Sequence, residues 1–418
     1  MKLNPSYLED ASGYRGHADR LLVPGSEAEL VEALRGLREP LTIAGAGTGL
    51  TGGRVARGGV VLSLERFAGI EIFPGYAVAG AGAALRDLQA AARRTGQFYG
   101  PDPTEWTASV GGSIATNASG SRSFLYGATR RHVRALRVAF SGGEVRGFRR
   151  GEAIDFEAPR VPQPRSRKHS AGYPLAPGMD WVDLFVGSEG TLGIVLEAEL
   201  ALLPLPDDLL TGVIFFGDDD RALEAVDAWR PVAGLRMLEY FDRGSLDLLR
   251  PRFADVPRAG AALLVEQIAG SDEVFEEWEG RLRESGAMAE QSWFAVSDAD
   301  RERFRAFRHA LPEAVNDAVR RNGFLKVGSD YAVPVERNRE MLGVYRERLD
   351  REFPGRAVVF GHIGDAHVHV NILPRSAEDA ARAAEAMLDF ARQVVALGGS
   401  AAAEHGLGKR KAHLLGVQ

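Results

Sequence analysis

Three of the chain's nine histidines, His362, His367 and His369, crowd between positions 362 and 369, and a Glu404-His405 pair follows downstream. Imidazole nitrogens and carboxylates are the donors that hold a divalent transition cation, and two imidazoles with one carboxylate leave coordination positions open, as in a catalytic zinc site. A lone histidine is more often a hydrogen-bonded structural residue, so the weight rests on the crowding. The run His367-Val-His-Val-Asn-Ile-Leu373 alternates strictly between polar and apolar. A strand with that pattern presents His367, His369 and Asn371 on one face and Val368, Val370 and Ile372 on the other. The element that must carry them is a hairpin over residues 358–373, turning at Gly364-Asp365.

A second kind of chemistry is written in glycine. The segment Gly45-Ala-Gly-Thr-Gly-Leu-Thr-Gly-Gly53 follows a strand expected over 41–44. Gly47, Gly49 and Gly52 fit the G-x-G-x-x-G spacing, but that fingerprint should open a helix, and here the chain runs on to another apolar strand over 60–64. No Gly-Lys-Ser/Thr completes a Walker loop. What remains is a concave run of backbone N–H groups, from Gly45 through Gly47, Thr48, Gly49 and Leu50, able to hold a pyrophosphate. A second small-residue segment, Gly111-Gly-Ser-Ile-Ala-Thr-Asn-Ala-Ser-Gly120, flanked by Pro101 and Thr107, is expected to leave its amides accessible as well. Two such loops in one α+β region suit an elongated dinucleotide.

The elements around these loops are legible from their periodicity. Helices are expected over 26–38, where Ser26 and Glu29 form a capping box, and over 84–95, ended by Gly96. A strand is expected over 77–81, and another over 194–200 after a third glycine cluster, Gly187-Ser-Glu-Gly-Thr-Leu-Gly193. Prolines 204 and 206 then mark a boundary. Beyond it the glycine clusters stop, helices are expected over 272–284 and 298–319, and a long one starts at Ser376 with Asp379 at its third position. The resulting organisation is a domain over 1–205, a second over 206–375 and a C-terminal helical segment over 376–418 that returns to the first.

Composition narrows the chemistry further. The 418 residues suffice for two or three domains at about 150 residues each. The net charge of −6 offers no field for a phosphate backbone, so nucleic acid is not an expected partner. No apolar run approaches the roughly 18 residues of a membrane span. The absence of cysteine excludes disulfides, Cys-ligated zinc and an iron–sulfur cluster held by this chain, so redox work requires an organic cofactor or a His/carboxylate metal. The opening residues lack the apolar stretch of a secretory signal, and the cytoplasm is the expected location.

Taken together, six motifs resemble those of FAD-linked oxidases of the vanillyl-alcohol-oxidase fold: residues 41–53, Pro101-Asp-Pro-Thr104, residues 111–120, Tyr126-Gly-Ala-Thr-Arg130, Lys168-His-Ser-Ala-Gly-Tyr173, and Phe185-Val-Gly-Ser-Glu-Gly-Thr-Leu-Gly-Ile194. The nearest branch contains D-lactate and D-2-hydroxyglutarate dehydrogenases and glycolate oxidase flavoprotein subunits. This resemblance implies a two-lobed FAD-binding domain with an α+β substrate domain carrying an antiparallel sheet. It assigns FAD contacts to Gly45, Gly47, Thr48, Gly49, Leu50, Pro101, Thr107, Gly111, Gly112, Ala115, Thr116, Asn117, Gly120, Glu189, Gly190 and Ile194. The FAD is expected to be non-covalent, because the first loop lacks the histidine to which some relatives attach it. The resemblance also makes His362, His369 and Glu404 ligands of a divalent metal, with zinc expected. His405 becomes the base, Asn371 a substrate contact, and Arg308 and Lys326 the carboxylate-binding cations.

Three departures from the family pattern stand out. His367 occupies a position where asparagine is usual, Arg131 one where aspartate is common, and Lys326 lies two residues further from Asp330 than in the family's Lys-x-Asp. The activity implied is oxidation of a small 2-hydroxy acid to the 2-oxo acid, with hydride passing to flavin N5. Electrons would leave through an iron–sulfur partner subunit, an electron-transferring flavoprotein or a quinone. Two alternatives from the same superfamily are a non-catalytic flavin-binding subunit of a glycolate oxidase complex and an FAD-dependent ether-lipid synthase.

Overall fold

The computed structural model describes residues 3–270 and 273–418, built on three sheets. In the smallest, Val60–Ser63 lies parallel to and between Arg20–Leu22 and Leu41–Ala44. Helix Glu27–Arg35 stands between the first two of these strands in sequence, and its start is set by side chains. Ser26 accepts from the Glu29 N–H, and the Glu29 carboxylate reaches back to the Gly25 N–H at 2.7 Å. From Ala44 to Val60 the chain forms no helix, so the first glycine segment is an open loop between parallel strands.

The second sheet is antiparallel and ordered Ile70–Phe73, Tyr76–Gly80, Ile194–Pro204, Val133–Ala139, Val145–Arg149, with Gln97–Tyr99 also pairing Ile194–Pro204. Leu196, Ala198, Leu200 and Leu202 alternate inward, which carries this strand past the expected residue 200 to Pro204, where a missing N–H costs little at a strand end. Helices Leu85–Arg93, Val110–Ala115 and Trp181–Phe185 cover its inner face.

The third sheet has eight strands, in the order Trp293–Phe294, Leu209–Phe216, Ala261–Ile268, Leu235–Asp242, Ala357–Gly361, His367–Ile372 and Val327–Gly328, with Tyr331–Ala332 beside His367–Ile372. Both faces are buried. Leu210, Ile214 and Phe216 share one core with helices Asp219–Trp229, Glu273–Ser285, Asn338–Glu352 and Ala377–Ala396, while Val213 and Phe215 share the other with Arg243–Leu249 and Asp298–Asn322. Double coverage explains why strands such as Leu209–Phe216 and Ala261–Ile268 read as apolar runs without alternation. The expected start of one helix at Asp272 lies outside the described residues. Helix Asp298–Asn322 outruns the expected residue 319 by a turn and is closed by Gly323 at φ 73°. Pro312 sits inside it; without an N–H it leaves the Arg308 carbonyl no partner one turn back.

Candidate active site

The expected hairpin is present: Ala357–Gly361 and His367–Ile372 pair antiparallel, with Phe360 opposite His369 and Val358 opposite Asn371. A single 3₁₀ turn, Ile363–Asp365, joins them. Val368, Val370 and Ile372 enter the hydrophobic core, which forces His367, His369 and Asn371 to the opposite face. Against that face lies Glu404. Its Oε1 is 3.2 Å from His362 Nε2, 3.4 Å from His369 Nε2 and 3.8 Å from His405 Nε2. Its Oε2 accepts from Ser119 Oγ at 2.5 Å and from Lys168 Nζ at 3.2 Å. Burial opposes ionisation of Glu404, but Lys168, His362 and His367 outweigh it and hold the carboxyl well below its ordinary range. Burial pushes His405 down to about 4, so its imidazole is neutral at pH 7.

Glu404, His405, His362, His369 and Asn371 open onto a cavity of about 720 Å³ that is also lined by Gly47, Thr48 and Leu50 of the first glycine loop and by Arg308, Pro312 and Lys326. Among the described residues, no protein acceptor faces the N–H groups of residues 46–51. A Cβ placed on Gly49 would meet only the Asp10 carboxylate, at 3.5 Å, so the loop surface is clear for a ligand to approach closely. Arg308 donates from Nε to Glu239 Oε2 at 2.9 Å and from Nη1 to Thr104 Oγ1 at 3.2 Å. Lys326 Nζ has no protein acceptor among the described residues. Burial, reinforced by Lys411 and Arg410, pushes it down to about 8.

The second glycine segment differs from its expectation. Instead of an open loop it forms helix Val110–Ala115, capped by Ser109, and the amides of Gly111, Gly112, Ser113, Thr116 and Asn117 are bonded within the protein. Its small residues serve close packing: a Cβ on Gly111 would lie 2.7 Å from that of Ala81, and one on Gly120 would lie 2.0 Å from the Asp102 carbonyl oxygen. Pro101 is buried, whereas Thr107 is exposed and donates its hydroxyl to Glu105. Asn117, at φ 50°, accepts from the Arg130 N–H and lines a second cavity with Arg130, Lys168 and His169. Ala115 offers its carbonyl to the Glu189 N–H at 2.7 Å. The Glu189 carboxylate in turn accepts from the N–H groups of Leu407 and Gly408, at 2.8 and 2.7 Å, Gly190 turns at φ 74°, and Ile194 is core.

Comparison with known proteins agrees with this arrangement. Residues 18–149 match the FAD binding domain, and residues 205–418 match the C-terminal domain of FAD linked oxidases, just over half of the chain. The chain belongs to the FAD-linked oxidases. Among its relatives, a D-2-hydroxyglutarate dehydrogenase of Xanthomonas citri is 30% identical over 93% of this chain and 80% of its own length. A D-lactate dehydrogenase of Archaeoglobus fulgidus is also 30% identical, over 93% and 82%. An alkyldihydroxyacetonephosphate synthase structure superposes with a TM-score of 0.67 at 15% identity, covering 91% of this chain and 71% of the other, which shows the shared vanillyl-alcohol-oxidase fold.

In this FAD-linked oxidase two buried acids organise the site: Glu239, which no sequence motif marks, and Asp330, which the sequence marks only by its spacing from Lys326. Glu239, on strand Leu235–Asp242, bonds His362 Nδ1 at 2.6 Å and Arg308 Nε at 2.9 Å. Burial opposes its ionisation, but His362 and Arg308 outweigh that and hold the carboxyl far below its usual range. Asp330 lies 3.2 Å from His367 Nε2 and 3.4 Å from His405 Nδ1 through Oδ1, and accepts from the Glu404 and His405 N–H groups through Oδ2. Glu239 interrupts an apolar strand and Asp330 sits between the short strands Val327–Gly328 and Tyr331–Ala332, and a buried acid in such a place must be paired. That is the signal by which they could have been found.

Proposed function

We propose that this FAD-linked oxidase converts a small 2-hydroxy acid of the D-lactate, glycolate or D-2-hydroxyglutarate type to its 2-oxo acid, with non-covalent FAD and a divalent cation, zinc by expectation, held by His362, His369 and Glu404. The separations of 3.2 and 3.4 Å from Glu404 Oε1 to the two Nε2 atoms carry this reading. Ligand bonds of about 2.0–2.1 Å in a tetrahedral array set neighbouring donors about 3.4 Å apart. The unbonded amides of residues 46–51 fit a pyrophosphate in the same cavity.

When bound, FAD supplies the acceptor for the C2 hydride and the cation supplies Lewis-acid polarisation of the substrate hydroxyl. The chain's own residues do the rest. Arg308 and Lys326 hold the substrate carboxylate by charge-assisted hydrogen bonds, and Asn371 offers its amide from the histidine face. His405 turns Nδ1 toward Asp330, which leaves Nε2 on the Glu404 side to take the hydroxyl proton. The chain has no cysteine, so its electrons pass to an external acceptor: an iron–sulfur subunit, an electron-transferring flavoprotein or a quinone. The test is anaerobic mixing of the flavoprotein with D-lactate, glycolate and D-2-hydroxyglutarate. Bleaching of the oxidised flavin by one of them is expected; a flavin that only dithionite bleaches would reject the 2-hydroxy acid class.

A further inference from the structure

We infer that His367 is a fourth protein ligand of the cation, binding through Nδ1, so that the donor set is three imidazoles and one carboxylate and the substrate hydroxyl enters as a fifth ligand; this rests on the cation reading above. His367 is fully buried, at 0% exposure, and neither of its ring nitrogens makes a hydrogen bond. Buried polar atoms are nearly always paired, so two orphans on one ring call for a partner that the polypeptide does not provide.

The surroundings say which nitrogen needs it. Nε2 lies 3.2 Å from Asp330 Oδ1, an oxygen that is itself without a hydrogen-bond partner. A neutral imidazole has one N–H and one lone pair, and the carboxylate draws the N–H to Nε2. Nδ1 therefore presents a lone pair, and 3.9 Å away stands Oε2 of Glu404, another acceptor. Two acceptors face each other in a buried pocket with no hydrogen between them, an arrangement that a cation relieves. One donor atom each from His362, His367, His369 and Glu404 can be chosen so that all lie within 4.8 Å of one another. The His367 ring centroid is 4.5 Å from that of His369 and 5.3 Å from that of His362.

Asp330 stands behind His367 as Glu239 stands behind His362, and a small turn of the His367 ring would bring its Nε2–H onto Asp330, a bond of the kind that fixes the tautomer and raises the basicity of the near nitrogen. A nitrogen-rich set of this kind selects a first-row transition ion over magnesium or calcium.

The experiment uses the full-length flavoprotein reconstituted with Zn²⁺, and compares it with His367→Gln. The glutamine amide can still reach Asp330, but it removes the Nδ1 donor. X-ray absorption at the zinc edge should count three imidazoles in the wild type and two in His367→Gln. Chelator competition should show the variant's affinity at least about 100-fold weaker, since loss of an outer-shell partner alone costs 10–100-fold. Flavin content and melting temperature serve as the folding control. Two imidazoles in the wild-type spectrum would overturn the inference and leave the His362–His369–Glu404 reading standing. That spectrum decides the matter even if the variant fails to fold. A wild-type protein that retains no zinc would overturn the cation reading and this inference together.

Discussion

Glu239→Gln isolates the carboxylate that ties Arg308, proposed to bind the substrate, to His362, proposed to bind the metal. The wild-type side chain has two acceptor oxygens, one on His362 Nδ1 at 2.6 Å and one on Arg308 Nε at 2.9 Å. A carboxamide of the same shape offers one acceptor and one NH₂, so one of the two donors is left facing another donor. Hydrogen bonds to charged groups contribute about 1.5–3 kcal/mol, and losing one converts to roughly 10- to 150-fold at about 1.4 kcal/mol per decade. The glutamine orientation decides where the loss falls. If its oxygen stays on Arg308, the deficit appears in metal affinity measured by chelator competition. If it turns to His362, the deficit appears as a raised KM for the 2-hydroxy acid. Metal affinity and kcat/KM that both stay within about threefold of wild type, with unchanged flavin content, would refute a bridging role for Glu239, because even an outer-shell carboxylate is expected to cost 10-fold or more.

Two further outcomes follow from the same cavity. Lys326, with its pKa pushed down to about 8, is charged below that pH and neutral above it, so KM for the substrate anion should rise as pH passes through about 8. Lys326→Met should flatten that limb of a KM–pH profile; a wild-type KM that is level from pH 7 to 9 would remove Lys326 from carboxylate binding. His405→Ala should retain its flavin while kcat falls by about two to four orders of magnitude, the usual contribution of a general base. Stopped-flow flavin reduction at wild-type rate would dismiss His405 from that role.

The histidine hairpin was legible because its period of two is a backbone property, and the core on one side leaves the other face only one direction to point. Capping residues told helix starts to within a residue, as at Ser26 and Ser376. The first glycine loop could be read because no helix pattern followed it. The second misled because composition does not separate glycine used for exposed amides from glycine used for close packing. Ser109 caps a short helix there, and the Ala83 and Ala81 carbonyls take the Val110 and Gly111 N–H groups, which no small-residue count reveals. The roles of Glu239 and Asp330 are not legible because their partners come from helix Asp298–Asn322, from the histidine hairpin and from the segment after residue 400, contacts that no local window contains. Pro312 does not interrupt the expected helix, because the apolar period runs on through it, and the helix stays intact across the proline.

Glu404 and His405 are seated by partners far back in the chain. The Leu407 and Gly408 amides rest on Glu189, 218 and 219 residues earlier, the Arg410 amide rests on the Thr51 carbonyl, and Lys409 reaches the Gly53 carbonyl across 356 residues. Closures of that span are late events in folding. A nascent polypeptide therefore holds no turnover-competent centre until residues beyond 400 have left the ribosome, however complete the sheets already are.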